Sequence, residues 1–315
     1  MGSEHPHVPG AALLAFGVGL LVVAQSRING ELAQVTGDGV LAAVISFGTG
    51  LVLVTLIAVA RRTTREALIH ALPRELRAGR LRPWQLLGGL GGATLVASQG
   101  LTVPALGVAL FTVLVVAGQT GSSLVVDRVG LGPGGARAIT TARVVGALGT
   151  TLAVALAVSG RFSAGSLAWG AVVLTVTAGI AISVQQAVNG MVAMRTGDPV
   201  AATLVNFVVG LSALVAVLLV AHTVGDQPWV APPAPWSQPL LWLGGSIGVA
   251  FVVTAARVVR PLGVLLFSLL SIAGQLTGSL ASDLLVPTTG TVVSWQLVAG
   301  VLLTGAAIGF ATLRR

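Results

Sequence analysis

The amino-acid sequence predicts an all-α polytopic membrane protein in which ten transmembrane helices form two inverted five-helix repeats. Three observations lead to this prediction. Of the 315 residues, 55% are apolar and only 8% are charged, whereas a soluble domain carries about 25% charged residues. Ten apolar runs are long enough for spans of about 20 residues. Short motifs of the first half also recur in the second half at a nearly constant offset.

The ten predicted spans follow one another with short connectors. They lie at residues 11–28, 39–60, 84–103, 105–126, 139–159, 167–188, 199–221, 239–258, 261–283 and 292–313. The first run has no basic leader before it and no convincing small-residue cleavage site after it, so we expect a retained span rather than a signal peptide. Residues 64–80 are predicted to form a surface helix near the inner headgroups.

The distribution of arginine predicts the orientation. The sequence contains 17 arginines and no lysine, and seven of the arginines crowd the connector between the second and third spans. The positive-inside rule places this connector in the cytoplasm. Ten alternating spans then leave only Arg27 and Arg161 outside and the other 15 arginines inside. Both termini are therefore expected in the cytoplasm, with the spans in the plasma membrane.

The residue types that are missing exclude several functions. No cysteine is present, so the chain cannot form disulfides or bind a metal through thiolates. Without lysine, a Walker-A phosphate site and Schiff-base chemistry are excluded. The four histidines lie outside the long apolar runs, and the arginines that give the net charge of +8 lie in short connectors. We therefore expect no metal, no cofactor, no nucleic-acid partner and no enzymatic activity.

An internal repeat is the most informative feature of the sequence. Gln-x-x-x-Asn-Gly occurs at 25–30 and 185–190, and Gly-Asp follows at 37–38 and 197–198, all at an offset of 160. Gly-Gln-x-x-x-Ser-x-x-x-Asp occurs at 118–127 and 274–283, at an offset of 156. Since each half, 1–159 and 160–315, holds five spans, equal sequences must lie in opposite orientations. Such inverted repeats underlie many secondary transporters, with the substrate path between the repeats.

Polar stripes on the fourth and ninth spans are candidate functional residues. Gln119, Ser123 and Asp127 are four residues apart and therefore share one face of a helix, and Gln275, Ser279 and Asp283 repeat the pattern. A polar stripe facing lipid would be costly, so these residues must face other helices or water. Hydrogen-bonded helix packing is one interpretation. Substrate contact by the two glutamines is the other, with the serines and aspartates in gating or coupling.

The first and sixth spans carry further candidates in Gln25, Asn29, Gln185 and Asn189. We predict that Gln25 and Gln185 line a cavity together with Gln119 and Gln275. Asn29-Gly30 and Asn189-Gly190 stand where the apolar runs end, so the two asparagines are interpreted as helix C-caps or, alternatively, as substrate ligands. Gly88, Gly92, Gly244 and Gly248 are expected to permit close helix packing.

The two aspartates are expected to differ in role. Asp127 closes the fourth span on the arginine-rich side, directly before Arg128. Asp283 closes the ninth span on the opposite side, where only two arginines lie. We therefore predict that Asp283, more than Asp127, senses external protons or a cationic substrate. A helix-end residue exposed to water is the alternative interpretation of Asp283.

These motifs make the chain resemble the drug/metabolite transporter superfamily and, within it, the bacterial YdcZ-like family of inner-membrane exporters. The resemblance rests on Gln-x-x-x-Asn-Gly early in each half, Phe-x-x-Gly ending the second span of each half, and the late Gly-Gln-x-x-x-Ser-x-x-x-Asp. It covers nearly the whole chain. It implies a ten-helix transporter fold, without naming a substrate or functional residues.

The sequence thus predicts a secondary transporter, most simply an exporter, of a small metabolite or drug-like molecule by alternating access. Its expected partners are the lipid bilayer, the small-molecule substrate and, as a further candidate, a second copy of the chain in a homodimer. Two other functions remain open: a membrane subunit that stabilises another complex without transporting, and a passive channel or facilitator.

Overall fold

The computed structural model of the chain describes residues 8–136, 138–162, 169–224, 231–286 and 295–313, and this part is helical without any strand. The helices long enough to cross a bilayer are α1 (Val8–Thr36), α2 (Gly39–Ala60), α3 (Gly88–Leu106), α4 (Val108–Arg128), α5 (Thr141–Phe162), α6 (Trp169–Thr196), α7 (Pro199–Val224), α8 (Gly244–Leu285) and α9 (Trp295–Leu313).

Seven helical stretches of the described chain are both long and apolar enough to span a membrane. They are Pro9–Thr36, Gly39–Ala60, Pro83–Leu106, Val108–Arg128, Trp169–Thr196, Pro199–Thr223 and Pro239–Val264. Large apolar side chains such as Leu13, Val52 and Leu219 lie exposed on these helices, as expected of surfaces that face lipid. The chain is therefore a polytopic membrane protein.

Two glycines with positive φ set the connection between α3 and α4 and the kink within α8. Gly107, between α3 and α4, has φ 75° and ψ 164°, and Gly263, inside α8, has φ 77° and ψ 164°. Residues that have a side chain rarely adopt a positive φ, whereas glycine does so at no steric cost. Gly263 divides α8 into a first arm (residues 244–262) and a second arm (residues 264–285), which correspond to the predicted eighth and ninth spans.

Two identical turns join α1 to α2 and α6 to α7. Each preceding helix ends at a glycine with positive φ, 69° at Gly37 and 75° at Gly197. The following aspartate then caps the next helix: Asp38 Oδ1 accepts hydrogen bonds from the backbone N–H groups of residues 40 and 41, at 2.7 and 3.0 Å. Asp198 does the same for residues 200 and 201, again at 2.7 and 3.0 Å. An acceptor at this position satisfies N–H groups that have no partner within the helix.

The interpretation of Asn29 and Asn189 as C-caps is wrong. Helix α1 continues beyond Asn29 to Thr36, and α6 continues beyond Asn189 to Thr196. Both asparagines are buried inside these helices, and their amides bond to side chains of neighbouring helices instead of capping carbonyl groups. Tertiary partners thus make the Asn-Gly pairs compatible with a continuous helix.

The surface segment, residues 62–77, contains a π-helical turn at Ala67–Ala71 between Arg62–Glu66 and Leu72–Arg77. Its first turn is attached to the α6–α7 turn, because the hydroxyl groups of Thr63 and Thr64 donate to Asp198 Oδ2 at 3.3 and 3.0 Å. Further along, Leu72 and Leu76 pack against an apolar cluster that includes Val192 and Ala193. The predicted surface helix is therefore present, and it holds the connector against the second half of the chain.

Glycines that the sequence did not single out bring the long helices into direct backbone contact at two sites. A β-carbon on Gly19 of α1 would lie 2.0 Å from the carbonyl oxygen of Ser271 in the second arm of α8. A β-carbon on Gly179 of α6 would likewise lie 2.0 Å from the carbonyl oxygen of Val115 in α4. We call these two sites the α1–α8 crossing and the α4–α6 crossing. They contain no room for a side chain at the glycine positions.

Two buried phenyl rings pack against each other between α2 and α7 in a tilted arrangement. The ring centroids of Phe47 and Phe207 are 4.9 Å apart. Gly50 of α2 adjoins the Phe207 ring, and Gly210 of α7 adjoins the Phe47 ring. Each half thus supplies one phenylalanine and one glycine to the same contact.

Candidate functional site

Buried amide side chains lie on both sides of the phenyl pair. The first amide cluster consists of Gln25, Ser26, Asn29, Ser46 and Gln99, all at most 3% exposed. Asn29 Nδ2 donates to Gln99 Oε1 at 2.7 Å, and Gln99 Nε2 donates to Ser26 Oγ at 3.0 Å. Gln25 Nε2 donates to the carbonyl oxygen of Gly244 at 2.9 Å. Hydrogen bonds of these side chains therefore join α1 to α3 and α1 to the start of α8, and Ser46 of α2 lies beside them.

The second amide cluster consists of Gln185, Asn189 and Asn206, which join α6 to α7. Gln185 Nε2 and Asn189 Nδ2 both donate to Asn206 Oδ1, at 2.9 and 2.8 Å. Asn206 stands where the first half has Ser46, so the two clusters use different groups at matching positions. These networks bring the predicted residues Gln25 and Asn29 together in one cluster and Gln185 and Asn189 in the other.

Both clusters contain polar atoms that have no hydrogen-bond partner among the described residues. In the first cluster these atoms are Asn29 Oδ1 and Ser46 Oγ, and in the second they are Gln185 Oε1 and Asn206 Nδ2. A buried polar group without a partner costs about 1–3 kcal/mol. Such atoms are usual where a ligand or a second conformation supplies the missing bond, so both clusters are candidates for substrate contact.

Gln119 and Gln275 lie at the two glycine crossings. The backbone nitrogen of Gln119 is 2.9 Å from the position that a Gly179 β-carbon would take, and that of Gln275 is 2.6 Å from the corresponding position at Gly19. Gln185 lies six residues after Gly179, and Gln25 lies six residues after Gly19. Six residues correspond to about 9 Å along a helix. The four glutamines are thus divided between the two crossings, two at each.

The two serines of the predicted stripes have different surroundings. Ser123 Oγ lies 3.1 Å from Ser183 Oγ and 3.2 Å from Ser268 Oγ, so it joins α4 to α6 and to the second arm of α8. Ser279 Oγ donates to the carbonyl oxygen of Leu276 in its own helix at 3.2 Å. Both side chains are completely buried. Of these two serines, Ser123 alone forms hydrogen bonds between helices in the described part of the chain.

Asp127 and Asp283 are both buried, at 4% and 3% exposure. Asp283 Oδ2 accepts a hydrogen bond from the backbone N–H of Ala109 at 2.8 Å, so it ties the end of α8 to the beginning of α4. The interpretation of Asp283 as a residue exposed to water is therefore wrong. An acceptor for an otherwise unsatisfied helical N–H is a structural role, and it does not exclude a role in coupling.

Two pockets adjoin the polar residues. A pocket of about 470 Å³ is lined by α6, α7 and the first arm of α8, including Gly190, Pro199, Thr254, Arg257 and Arg260. A groove of about 370 Å³ between α3 and α6 is lined mainly by apolar groups, with Trp84, Leu90 and Gln185 among them. The larger pocket has two arginines and no acidic residue in its lining.

Several residues of these networks were not predicted from the sequence as interacting residues: Ser46, Gln99, Ser183, Gln186 and Ser268. Gln99 has alanine at its matching position, 255, so the repeat gave no signal for it. Ser183 and Ser268 match Val23 and Thr112, and a single serine inside an apolar run is more often a packing residue. Gln186, which extends the second Gln-x-x-x-Asn-Gly motif, was the one visible signal.

Comparison with known proteins supports the same fold and identifies the family. None of the curated proteins matches the chain. One solved crystal structure superposes with a TM-score of 0.64 over 97% of this chain and 97% of the other, at 19% sequence identity, which shows the fold alone. The family model described as "Putative inner membrane exporter, YdcZ" matches residues 10–156 and 170–310. The chain therefore belongs to the YdcZ family of the inner membrane.

Proposed function

We propose that the protein is a secondary transporter that exports a small metabolite or drug-like molecule across the plasma membrane by alternating access. The family match supports export as the kind of function. The observation that carries the mechanism is the reciprocal contact at the centre: Gly50 adjoins Phe207, and Gly210 adjoins Phe47. Contacts made twice with exchanged partners are typical of two halves related by a two-fold axis. In alternating access, one such half moves against the other.

The two halves, residues 1–159 and 160–315, are proposed to be five-helix repeats of inverted topology. The matching turns at Gly37-Asp38 and Gly197-Asp198 and the matching kinks at Gly107 and Gly263 support this arrangement. The family match also falls into two stretches, one in each half. With α8 counted as two spans, each half supplies five helices, and an odd number reverses the direction of the second repeat.

The substrate path is proposed to run between the α1–α8 and α4–α6 crossings, where the buried amides lie. Gln25, Asn29 and Gln275 would contact substrate from one side. Gln185, Asn189 and Gln119 would contact it from the other side. The pocket that contains Arg257 and Arg260 would then be the cytoplasmic entrance, because it lies at the end of the molecule that we place inside.

A growth screen of a deletion strain over metabolites and toxic compounds, followed by transport in proteoliposomes, tests the proposal. Gln119→Ala and Gln275→Ala should each reduce the transport rate without lowering the amount of folded protein. Thr277→Ala is a matched control, since Thr277 is an exposed residue of the same helix arm as Gln275. If both glutamine variants transport normally, the amides serve helix packing and not substrate contact. If no ion gradient drives accumulation of substrate in the proteoliposomes, the protein is a passive facilitator.

A further inference from the structure

The hydroxyl cluster, formed by Ser123, Ser183 and Ser268 with the oxygens of Gln119 and Gln186, lies where α4, α6 and the second arm of α8 meet. The three serines are completely buried, at 0% exposure. Ser183 Oγ lies 3.0 Å from the backbone oxygen of Gln119, and Ser268 Oγ lies 3.2 Å from Gln186 Oε1. Five oxygen atoms from three helices thus surround one small region.

The hydroxyl cluster contains more close oxygen–oxygen contacts than hydroxyl protons that could bridge them. Ser123 Oγ approaches the Gln119 backbone oxygen at 2.5 Å, Ser183 Oγ at 3.1 Å and Ser268 Oγ at 3.2 Å. With the two contacts given above, five approaches share three hydroxyl protons. The backbone oxygen and the Gln186 oxygen can only accept. Some of these oxygens therefore face each other without an intervening proton.

A second observation also indicates a missing electropositive partner. The side-chain oxygen of Gln119 is buried and has no hydrogen-bond partner among the described residues, although Gln119 is only 1% exposed. Gln119, whose backbone oxygen belongs to the cluster, precedes Ser123 by one helical turn. An unsatisfied acceptor beside a group of crowded oxygens is best compensated by a cation.

We infer that this cluster is a sodium site and that, given the exporter function proposed above, Na⁺ is its coupling ion. All ligands are neutral oxygens, and no group of three or more His, Cys, Asp or Glu residues that could hold a metal occurs in the described chain. Neutral oxygens favour a monovalent ion over a divalent one, which usually binds carboxylates. Oxygens only about 3 Å apart suit a small ion, whereas K⁺ would force them apart.

The surroundings of the cluster fit such a site. Asp127 follows Ser123 by one turn of α4, and residues four apart on a helix are neighbours. Ser268 follows the kink at Gly263 by five residues. Ion sites of secondary transporters are commonly built where a spanning helix is interrupted. The cluster is closed to solvent in this conformation, as an occluded ion site would be.

The repeat provides a matched control. Ser123 corresponds to Ser279, but Ser183 corresponds to Val23 and Ser268 to Thr112. The second position therefore lacks the oxygens from the neighbouring helices, and Ser279 donates within its own helix. Ser279 is as completely buried as Ser123, so removing either hydroxyl group should disturb packing to a similar degree.

Thermal unfolding of the purified full-length protein in NaCl, KCl and choline chloride at equal ionic strength tests the inference without any transport substrate. Na⁺ should raise the unfolding temperature by about 2 °C or more relative to choline, and KCl should not. Ser123→Ala and Ser268→Ala should lose this Na⁺-dependent rise, and Ser279→Ala should keep it. Binding of radioactive sodium should follow the same order.

Equal unfolding temperatures in the three salts, with no sodium bound, would overturn the site and leave a buried water as the occupant. A Na⁺ effect that persists in both Ser123→Ala and Ser268→Ala would overturn it as well. Sodium binding that depends on these serines would support the site even if the protein failed to transport, so the ion site and the exporter function are judged separately.

Discussion

At the scale of single residues, glycine and amide groups determine how closely the helices of this protein approach. Gly19 and Gly17 lie two residues apart in the same helix but differ in the space around them. A β-carbon on Gly19 would collide with the backbone of the second arm of α8, whereas one on Gly17 would have nothing within 4 Å. The same residue type therefore has a packing role at one position and none at the other.

Gly19→Ala should lower the free energy of unfolding by about 1–3 kcal/mol, since the added methyl group has no space. Gly17→Ala should change it by at most about 1 kcal/mol, in the stabilising direction, because alanine is the better helix former. Denaturant unfolding of both variants in the same detergent measures the difference. Equal stabilities would show that the α1–α8 crossing can relax to accept a side chain.

Asp283 offers a second test, in which size and hydrogen bonding can be separated. Asp283→Ala removes the acceptor for the Ala109 N–H and should destabilise the protein by about 1–2 kcal/mol, as the loss of a helix cap does. Asp283→Asn keeps a side-chain oxygen at this position and should cost less. Thermal unfolding ranks the variants, and an Asn variant as unstable as the Ala variant would mean that the carboxylate charge matters.

The Asn variant also tests the predicted coupling role of Asp283. If this carboxyl group exchanges protons during transport, Asp283→Asn should flatten the dependence of the transport rate on external pH while the protein remains folded. Transport in proteoliposomes across a range of external pH provides the measurement. A rate and a pH profile identical to those of the unaltered protein would assign Asp283 to the α4–α8 connection alone.

Residue patterns alone predicted which side chains are buried but not what they bond to. Gln25, Asn29, Gln185 and Asn189 were recognised from the repeat, and all four are buried amides. Their partners Gln99 and Asn206 come from other helices, and the hydrogen bonds depend on how those helices pack. For the same reason the two asparagines were misinterpreted as caps, since only the three-dimensional neighbours show that the helices continue.

At the scale of elements, the surface segment is stabilised by an ion pair that depends on pH. The hydrogen bond from Arg80 to Glu75, at 2.7 and 2.9 Å, holds the pKa of Glu75 below its ordinary value of 4.5, and the positive charges of Arg80, Arg74 and Arg195 act in the same direction. A lowered pKa means that the folded segment favours the ionised carboxylate. This contribution is therefore complete above about pH 4.5 and is lost as the pH falls through the lowered pKa.

Backbone hydrogen exchange of residues 62–81 should therefore stay constant from neutral pH to about pH 4.5, once corrected for intrinsic rates, and should increase at lower pH. Glu75→Gln should raise the exchange at neutral pH and remove the acid dependence. Glu66→Gln is the control, since the Arg62–Glu66 pair is exposed at 84% and 54% and such pairs contribute little. A response in Glu66→Gln equal to that in Glu75→Gln would contradict the assignment.

The elements themselves were largely predictable because hydropathy and turn residues act locally. The predicted second and seventh spans, 39–60 and 199–221, agree with Gly39–Ala60 and Pro199–Val224, where Asp38 and Asp198 begin the helices. The first and sixth helices extend eight residues beyond the predicted ends, since polar residues there find buried partners. The π-helical turn in the surface segment has no signal that propensity or periodicity could have detected.

At the scale of the whole molecule, several segments that carry arginine lie at the same end of the helices. The surface segment, the α6–α7 turn and the end of the first arm of α8 lie at one end, because Thr64 bonds to Asp198 and Pro199 shares a pocket with Arg257 and Arg260. Arg27 instead contacts Ser282 and Val286 at the end of α8. These three segments thus lie at one end, and the positive-inside rule predicts that this end faces the cytoplasm.

Reporter fusions after Arg80 and at the C-terminus should therefore both report the cytoplasm, and a fusion near Pro232 should report the outside. The expected signals follow from ten crossings, with α8 supplying two of them through its kink at Gly263. If α8 crossed the membrane only once, the C-terminus would change sides while the signals at Arg80 and Pro232 stayed the same. A cytoplasmic signal at Pro232 would contradict both the span order and the inversion of the repeats, because the matching connectors that contain Arg80 and Pro232 would then lie on the same side of the membrane.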